Sequence, residues 1–152
     1  MLRTGELAPE LILPDQHGQL IDLAAVRGRK NVVLFFYPRD NSLVCTKEAC
    51  AFHDAYADIQ GHDAEVIGVS RDGAASHQAF ADRWRLPFTL VSDTDGEVAK
   101  RFKVHAILGL VAGRVTYVID KEGRIAAAFR HAFATTGHVE AALEALRDQR
   151  SV

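Results

Sequence analysis

Six consecutive apolar residues, Val-Val-Leu-Phe-Phe-Tyr over positions 32–37, leave this chain few folds to choose from. The run is short, β-branched and aromatic, and it lacks the polar alternation of a strand with one wet face. It therefore reads as a strand buried on both faces, the kind found inside a sheet that helices cover on two sides. Pro38 ends it, because proline cannot donate to a strand ladder. The turn Pro38-Arg39-Asp40-Asn41-Ser42 then leads into a helix that Asn41 or Ser42 can cap and that Thr46-Lys47-Glu48-Ala49 propagate to about Gln60.

The rest of the chain repeats the alternation. Leu11-Ile12-Leu13 and Leu20-Ile21-Asp22-Leu23, parted by Pro14-Asp15-Gln16-His17-Gly18, predict an N-terminal hairpin that caps one end. Gly61 closes the first helix and residues 65–70 form a second buried strand, completing a βαβ unit. Residues 76–85 predict a helix with Phe80 and Trp84 on its core face, ended by Leu86-Pro87. A strand over 88–91, a turn at Asp93-Thr94-Asp95-Gly96 and a short helix over 97–102 follow. Residues 114–120 and 124–129 pair as an antiparallel hairpin, and Thr135-Thr136-Gly137 precedes a last helix over 138–147, with 148–152 a frayed tail. The expectation is an α/β fold of thioredoxin-like order: a central mixed β-sheet flanked by helices, with an N-terminal β-hairpin, in one domain spanning residues 1–152. The apolar stretch 104–113 is expected to be a loop that walls a pocket, covers a subunit contact or is buried in the monomer core.

The chain has two cysteines, and both fall on the first helix, in Cys45-Thr-Lys-Glu-Ala-Cys50. Cys45 lies in or near its first turn, where unpaired backbone N–H groups and the positive end of the helix dipole favour a sulfur anion. Cys45 is thus the expected nucleophile. Five helical residues rise about 7.5 Å and separate the Cα atoms by some 8–9 Å. A disulfide needs less than about 7 Å, so a Cys45–Cys50 bridge requires local unwinding of the helix.

Composition narrows the function classes. Eighteen basic and twenty acidic residues give a net charge of −2 with no long run of one sign, which argues against a nucleic-acid or anionic-membrane partner. No stretch approaches 18 apolar residues, and the N-terminal residues lack the apolar core of a signal peptide, so a cytoplasmic protein is expected. In a compartment that keeps thiols reduced, two cysteines point to redox chemistry rather than to a stabilising bridge.

Pro38, Ser42 and Cys45 occupy the pattern of proline, three residues, threonine or serine, two residues, cysteine, and in this the chain resembles the peroxiredoxins. Thr-Lys-Glu-Ala-Cys50 after Cys45 is similar to the bacterioferritin comigratory protein or Q-type group. The segments 66–72, 86–93 and 114–120 resemble family segments in the expected order. The resemblance implies a thiol peroxidase that reduces hydrogen peroxide and organic hydroperoxides. Cys45 would be the peroxidatic thiolate, Cys50 the resolving cysteine on the same helix, and Ser42 a hydroxyl bonding peroxide and sulfur. Arg114 would be the guanidinium facing the site, and Pro38 the residue that shapes the turn and shields the sulfur. It implies no metal, flavin or haem, recycling by thioredoxin or a similar dithiol, and a monomer or weak homodimer. Where many Q-type members carry threonine, proline and glycine, this chain has Ser42, Leu43 and Val44, which keeps the hydroxyl but relaxes the turn.

Other readings of the same residues stand beside this one. Cys45 can be a small buried hydrophobe. Cys45, Cys50 and His53 can supply three metal ligands, although their spacing misses that of usual zinc sites. A general thiol–disulfide oxidoreductase shares the fold but carries Cys-x-x-Cys. Without the resemblance Arg114 is a solvated edge charge and Ser42 a plain helix cap. Lys47 is read as part of a solvated helix face. His17, His62, His77, His105, His131 and His138 show no ligand or triad spacing, and no role is assigned to them.

Overall fold

The computed structural model describes residues 1–104, 114–130 and 135–150. Strand β3 (Asn31–Phe36) is buried along its whole length, and it is the middle of a five-stranded sheet. On one side it pairs in parallel with β4 (Ala64–Ser70), which pairs in parallel with β5 (Thr89–Ser92). On the other it pairs antiparallel with β6 (Val115–Ile119), which pairs antiparallel with β7 (Ile125–Arg130). The mixed order β5-β4-β3-β6-β7 follows from the connections, since helices carry the chain back for the parallel pairs and a tight turn serves the β6–β7 hairpin. Strands β1 (Ile12–Pro14) and β2 (Leu20–Asp22) form the separate N-terminal hairpin, which touches the sheet edge through an Asp15–Val91 bridge.

The pleat of β3 divides the core in two. Val33 and Phe35 face one layer, with Phe52 and Ile59 of α1 (Leu43–Gln60), Phe80 of α2 (Ala74–Trp84) and Val139, Leu143 and Leu146 of α4 (Thr135–Arg150). Val32, Leu34 and Phe36 face the other, with Leu11, Leu23, Tyr117 and Val98 of α3 (Glu97–Arg101). Gly68 lies directly across from Phe35, and a Cβ there would stand 2.7 Å from the Phe35 ring and 2.8 Å from Leu90. The missing side chain is what lets Phe35 lie flat against Phe52, ring centroids 4.7 Å apart, under α1.

Two expectations need correction. Trp84 is not core: it is 37% exposed at the last residue of α2, under the Arg83 guanidinium. The last helix begins at Thr135 and continues to Arg150, so residues 148–150 are helical rather than frayed. Arg114 is 92% buried, with β6 lying inside the sheet between β3 and β7, so the alternative reading of it as a solvated edge charge does not apply. The stretch predicted as a loop at 104–113 falls, apart from buried Val104, outside the described residues.

Candidate active site

Where β3 ends, the chain turns through Pro38 to Asn41, and Asn41 takes a left-handed conformation (φ 64°) that asparagine tolerates better than most residues. Ser42 returns to extended backbone and caps α1: its Oγ accepts the Cys45 backbone N–H at 3.2 Å. The same hydroxyl donates to the Arg39 carbonyl at 3.5 Å, a weak bond that a better acceptor can displace. Cys45 is 1% exposed and sits on the stripe of α1 that packs on the sheet.

Arg114 reaches the same point from the sheet. Val115 pairs with Phe36 at the end of β3, so the preceding residue lies beside the turn that starts α1. Because Val115 faces the α3 layer, alternation puts Arg114 on the α1 side. Its Nη2 donates to Cys45 Sγ at 2.9 Å. A permanent cation and a capped helix start thus meet on one sulfur, an arrangement complementary to negative charge there.

Glu48 completes the cluster and was not singled out from the sequence. Its side chain is buried one turn after Cys45, with Oε1 3.7 Å from Arg114 Nη1. Burial raises its carboxyl to about 7, partly offset by the guanidinium. Its signal was periodicity: Cys45, Glu48, Ala49 and Phe52 follow the i, i+3, i+4, i+7 spacing of one buried face, and a glutamate on such a face is an anomaly that needs a partner.

Of the residues expected to form the site, the structure brings together Cys45, Ser42 and Arg114. Pro38 is half-buried at the end of β3, at the opening of the turn. Cys50 lies on the same helix as Cys45, half-buried, and both thiols are free. Burial and, second, the Asp54 carboxylate raise the Cys50 thiol above its ordinary value. Lys47 is exposed, as expected of a solvated face. Cys45, Cys50 and His53 do not converge as metal ligands: His53 is exposed and lies 3.2 Å from Asp54, and the one such group among the described residues is Asp40, Asp72 and His77.

A second cluster underlies the turn. Asp40 is buried and accepts from Tyr37 Oη at 2.6 Å and Ser76 Oγ at 2.9 Å, while its carboxylate lies 2.7 Å from His77 Nδ1. Burial and the Asp40 carboxylate push the Tyr37 phenol well above its ordinary value. His77 is thus a satisfied core histidine, on the same buried stripe of α2 as Phe80 and Ala81.

Comparison with known proteins identifies the family. The AhpC/TSA family model matches residues 4–128. Peroxiredoxin Q, chloroplastic, of Triticum aestivum is 43% identical over 145 residues, covering 95% of this chain and 66% of that protein. The Sedum lineare protein of the same name is 40% identical over 144 residues, covering 94% and 77%. The chain thus spans about two thirds of the length of most of these plant relatives. Among solved structures, peroxidoxin BcpB from Mycobacterium tuberculosis superposes with a TM-score of 0.90 at 34% identity, over 97% of this chain and 98% of that one. Xanthomonas campestris peroxiredoxin Q gives 0.85 at 30% identity, over 91% and 90%. With a family match over most of its length and relatives of this identity, the chain belongs to the AhpC/TSA family and, within it, to the peroxiredoxins of the Q type.

Proposed function

We propose that the chain is a thiol peroxidase in which the Cys45 thiolate attacks the terminal oxygen of hydrogen peroxide or an organic hydroperoxide. The observation that carries this reading is the 2.9 Å approach of the Arg114 guanidinium to Cys45 Sγ at the capped start of α1. The S–O bond forms as the O–O bond breaks, leaving Cys45 as sulfenic acid, and the departing oxygen takes a proton to leave as water or an alcohol. Arg114 holds the charge that builds on that oxygen, and the Ser42 hydroxyl, released from its long bond to Arg39, donates to the peroxide. Pro38 keeps the turn on one side of the sulfur.

Cys50 then attacks the sulfenic sulfur, forming a disulfide and expelling water. The helix between the two thiols must unwind for this, since α1 is continuous through both residues. A dithiol reductant, thioredoxin or a relative, returns both cysteines to thiols. A monomer or weak homodimer, in a reducing compartment such as the cytoplasm, suits this cycle.

The test is peroxide turnover driven by a thioredoxin system in wild type, Cys45→Ser and Cys50→Ser. Cys45→Ser is expected to lose activity altogether. Cys50→Ser is expected to consume one equivalent of peroxide and then stop with the thioredoxin system. Activity surviving in Cys45→Ser would defeat the assignment.

A further inference from the structure

Asp40 is held more firmly than any turn residue needs to be. Its backbone N–H donates to Asp72 Oδ2 at 2.8 Å, its Oδ1 accepts from Tyr37, and its Oδ2 faces both Ser76 Oγ and His77 Nδ1. These partners come from the end of β3, the segment after β4 and the first turn of α2, so one residue, through its side chain and its backbone N–H, ties three segments together. Asp72 is braced in turn by Ser70 Oγ at 2.6 Å.

The hydrogen-bond inventory fixes where protons lie. His77 Nε2 is 3.0 Å from the Val91 carbonyl, which can only accept, so Nε2 carries a hydrogen. Nδ1 is 2.7 Å from a carboxylate oxygen, so a proton also lies between those two atoms. Without it two lone pairs would face each other in a site with no water to screen them, as both side chains are 0–1% exposed. A cation in place of the proton is disfavoured, because both Asp40 oxygens already accept protein donors that the ion would have to displace.

We infer that Asp40 and His77 are positioning residues for the reaction at Cys45: the proton shared between them locks the 38–42 turn and so aims Ser42 and the first turn of α1. Asp40 lies two residues before the cap and five before the nucleophile, with strained Asn41 between. The lock is also the fixed point against which the first turn of α1 must open when Cys45 meets Cys50. This inference rests on reading Cys45 as the nucleophile.

Asp40→Asn is the conservative replacement, because an amide N–H can donate to a bare Nδ1 and rebuild the bridge with neutral partners. It is expected to keep the rate of Cys45 oxidation by peroxide within about threefold. His77→Phe keeps the ring volume and removes the bridge, and is expected to slow that oxidation tenfold or more while circular dichroism shows a folded protein. His77→Gln, which can still donate to the Val91 carbonyl but cannot share a proton with the carboxylate, serves if His77→Phe does not fold and should fall by a similar factor. In the wild type, proton NMR is expected to show a strongly deshielded resonance from the proton between Asp40 and His77 that the His77 variants lack. Absence of that resonance, or a folded His77 variant that oxidises at the wild-type rate, overturns the inference. Alkylation of Cys45 by iodoacetamide in a Cys50→Ser background follows the same positioning without peroxide. If wild type reduces no peroxide but alkylation still falls in the His77 variants, the peroxidase reading has failed and the positioning claim has not.

Discussion

Cys45 and Cys50 share one helix, five residues apart, yet their surroundings have opposite sign. Cys45 is 1% exposed, in the first turn of α1 and 2.9 Å from the Arg114 guanidinium. Cys50 is half-buried, past the first turn, with Asp54 one turn further on and its thiol raised above the ordinary value. The helix dipole fades within about one turn, and Arg114 reaches only the first of the two sulfurs. Division of labour between chemically identical side chains therefore comes from position along one helix. In the proposed cycle attack falls to Cys45, beside the cation, and resolution to Cys50, whose thiol burial raises.

Removing the cation should erase most of that contrast. Arg114→Gln leaves a donor near the sulfur but no charge, and loss of one preorganised charge-stabilising group typically costs about 10²–10³ in rate. The second-order rate constant for Cys45 oxidation, measured by stopped flow, should fall by that order while Cys50 alkylation changes little. A fall below about threefold would show that the helix start alone distinguishes the two thiols. In the same variant Glu48 loses the one cause that lowers its carboxyl, so it should be protonated further above neutrality.

Glu48 offers a stability test of the same cluster, with its sign set by the raised value. Below pH 4.5 the carboxyl is protonated in folded and unfolded chains alike, and its burial carries no ionisation cost. As pH rises from 4.5 to about 7 the unfolded state releases the proton first, so this group's contribution to stability falls; above 7 the loss is complete. At 1.36 kcal/mol per unit the ceiling is on the order of 3 kcal/mol. Glu48→Gln should remove that slope, so wild type should lose stability relative to the variant between pH 5 and pH 8, by about 1–3 kcal/mol in urea titrations. A difference independent of pH would mean that Glu48 is ionised throughout this range.

Ser42→Ala should act next most strongly, at about 1 kcal/mol of stability for a lost N-cap, with Ser42→Thr recovering most of it. Only peroxide kinetics separate the cap from a substrate donor. If alanine lowers Cys45 oxidation by more than the stability change accounts for, while alkylation by iodoacetamide is unaffected, the hydroxyl serves the peroxide itself.

The comparison also shows what was readable before any coordinates. The buried run at 32–37 and the helix-start cysteine are local signals, each produced by a few adjacent residues, and both held; of the two residues able to cap α1, the structure uses Ser42. Family resemblance, not residue pattern, named Arg114, because its position depends on a strand register set some 80 residues away at Phe36. Glu48, Asp40 and His77 went unassigned for a different reason. Each is a polar residue on an otherwise apolar helix face or in a tight turn, and single polar positions look like solvated surface until the partner that buries them is known. Trp84 failed in the opposite direction: helical spacing from Phe80 put it on the core face, yet as the last residue of α2 it is 37% exposed.

The smallest expected effect concerns Cys50. Asp54 lies four residues on, on the same helix face, and is the second cause of the raised Cys50 thiol after burial. Its side chain is 82% exposed, so solvent and salt screen most of its field. Asp54→Asn should therefore quicken Cys50 alkylation at neutral pH by no more than about threefold, with the gain shrinking in 0.5 M salt, roughly where the screening length drops below 5 Å. Reaction of Cys45 should not respond, because its charge partner is Arg114 at 2.9 Å. If Cys45 slows or quickens together with Cys50, the two sulfurs share one electrostatic environment, and position along the helix no longer explains which of them attacks.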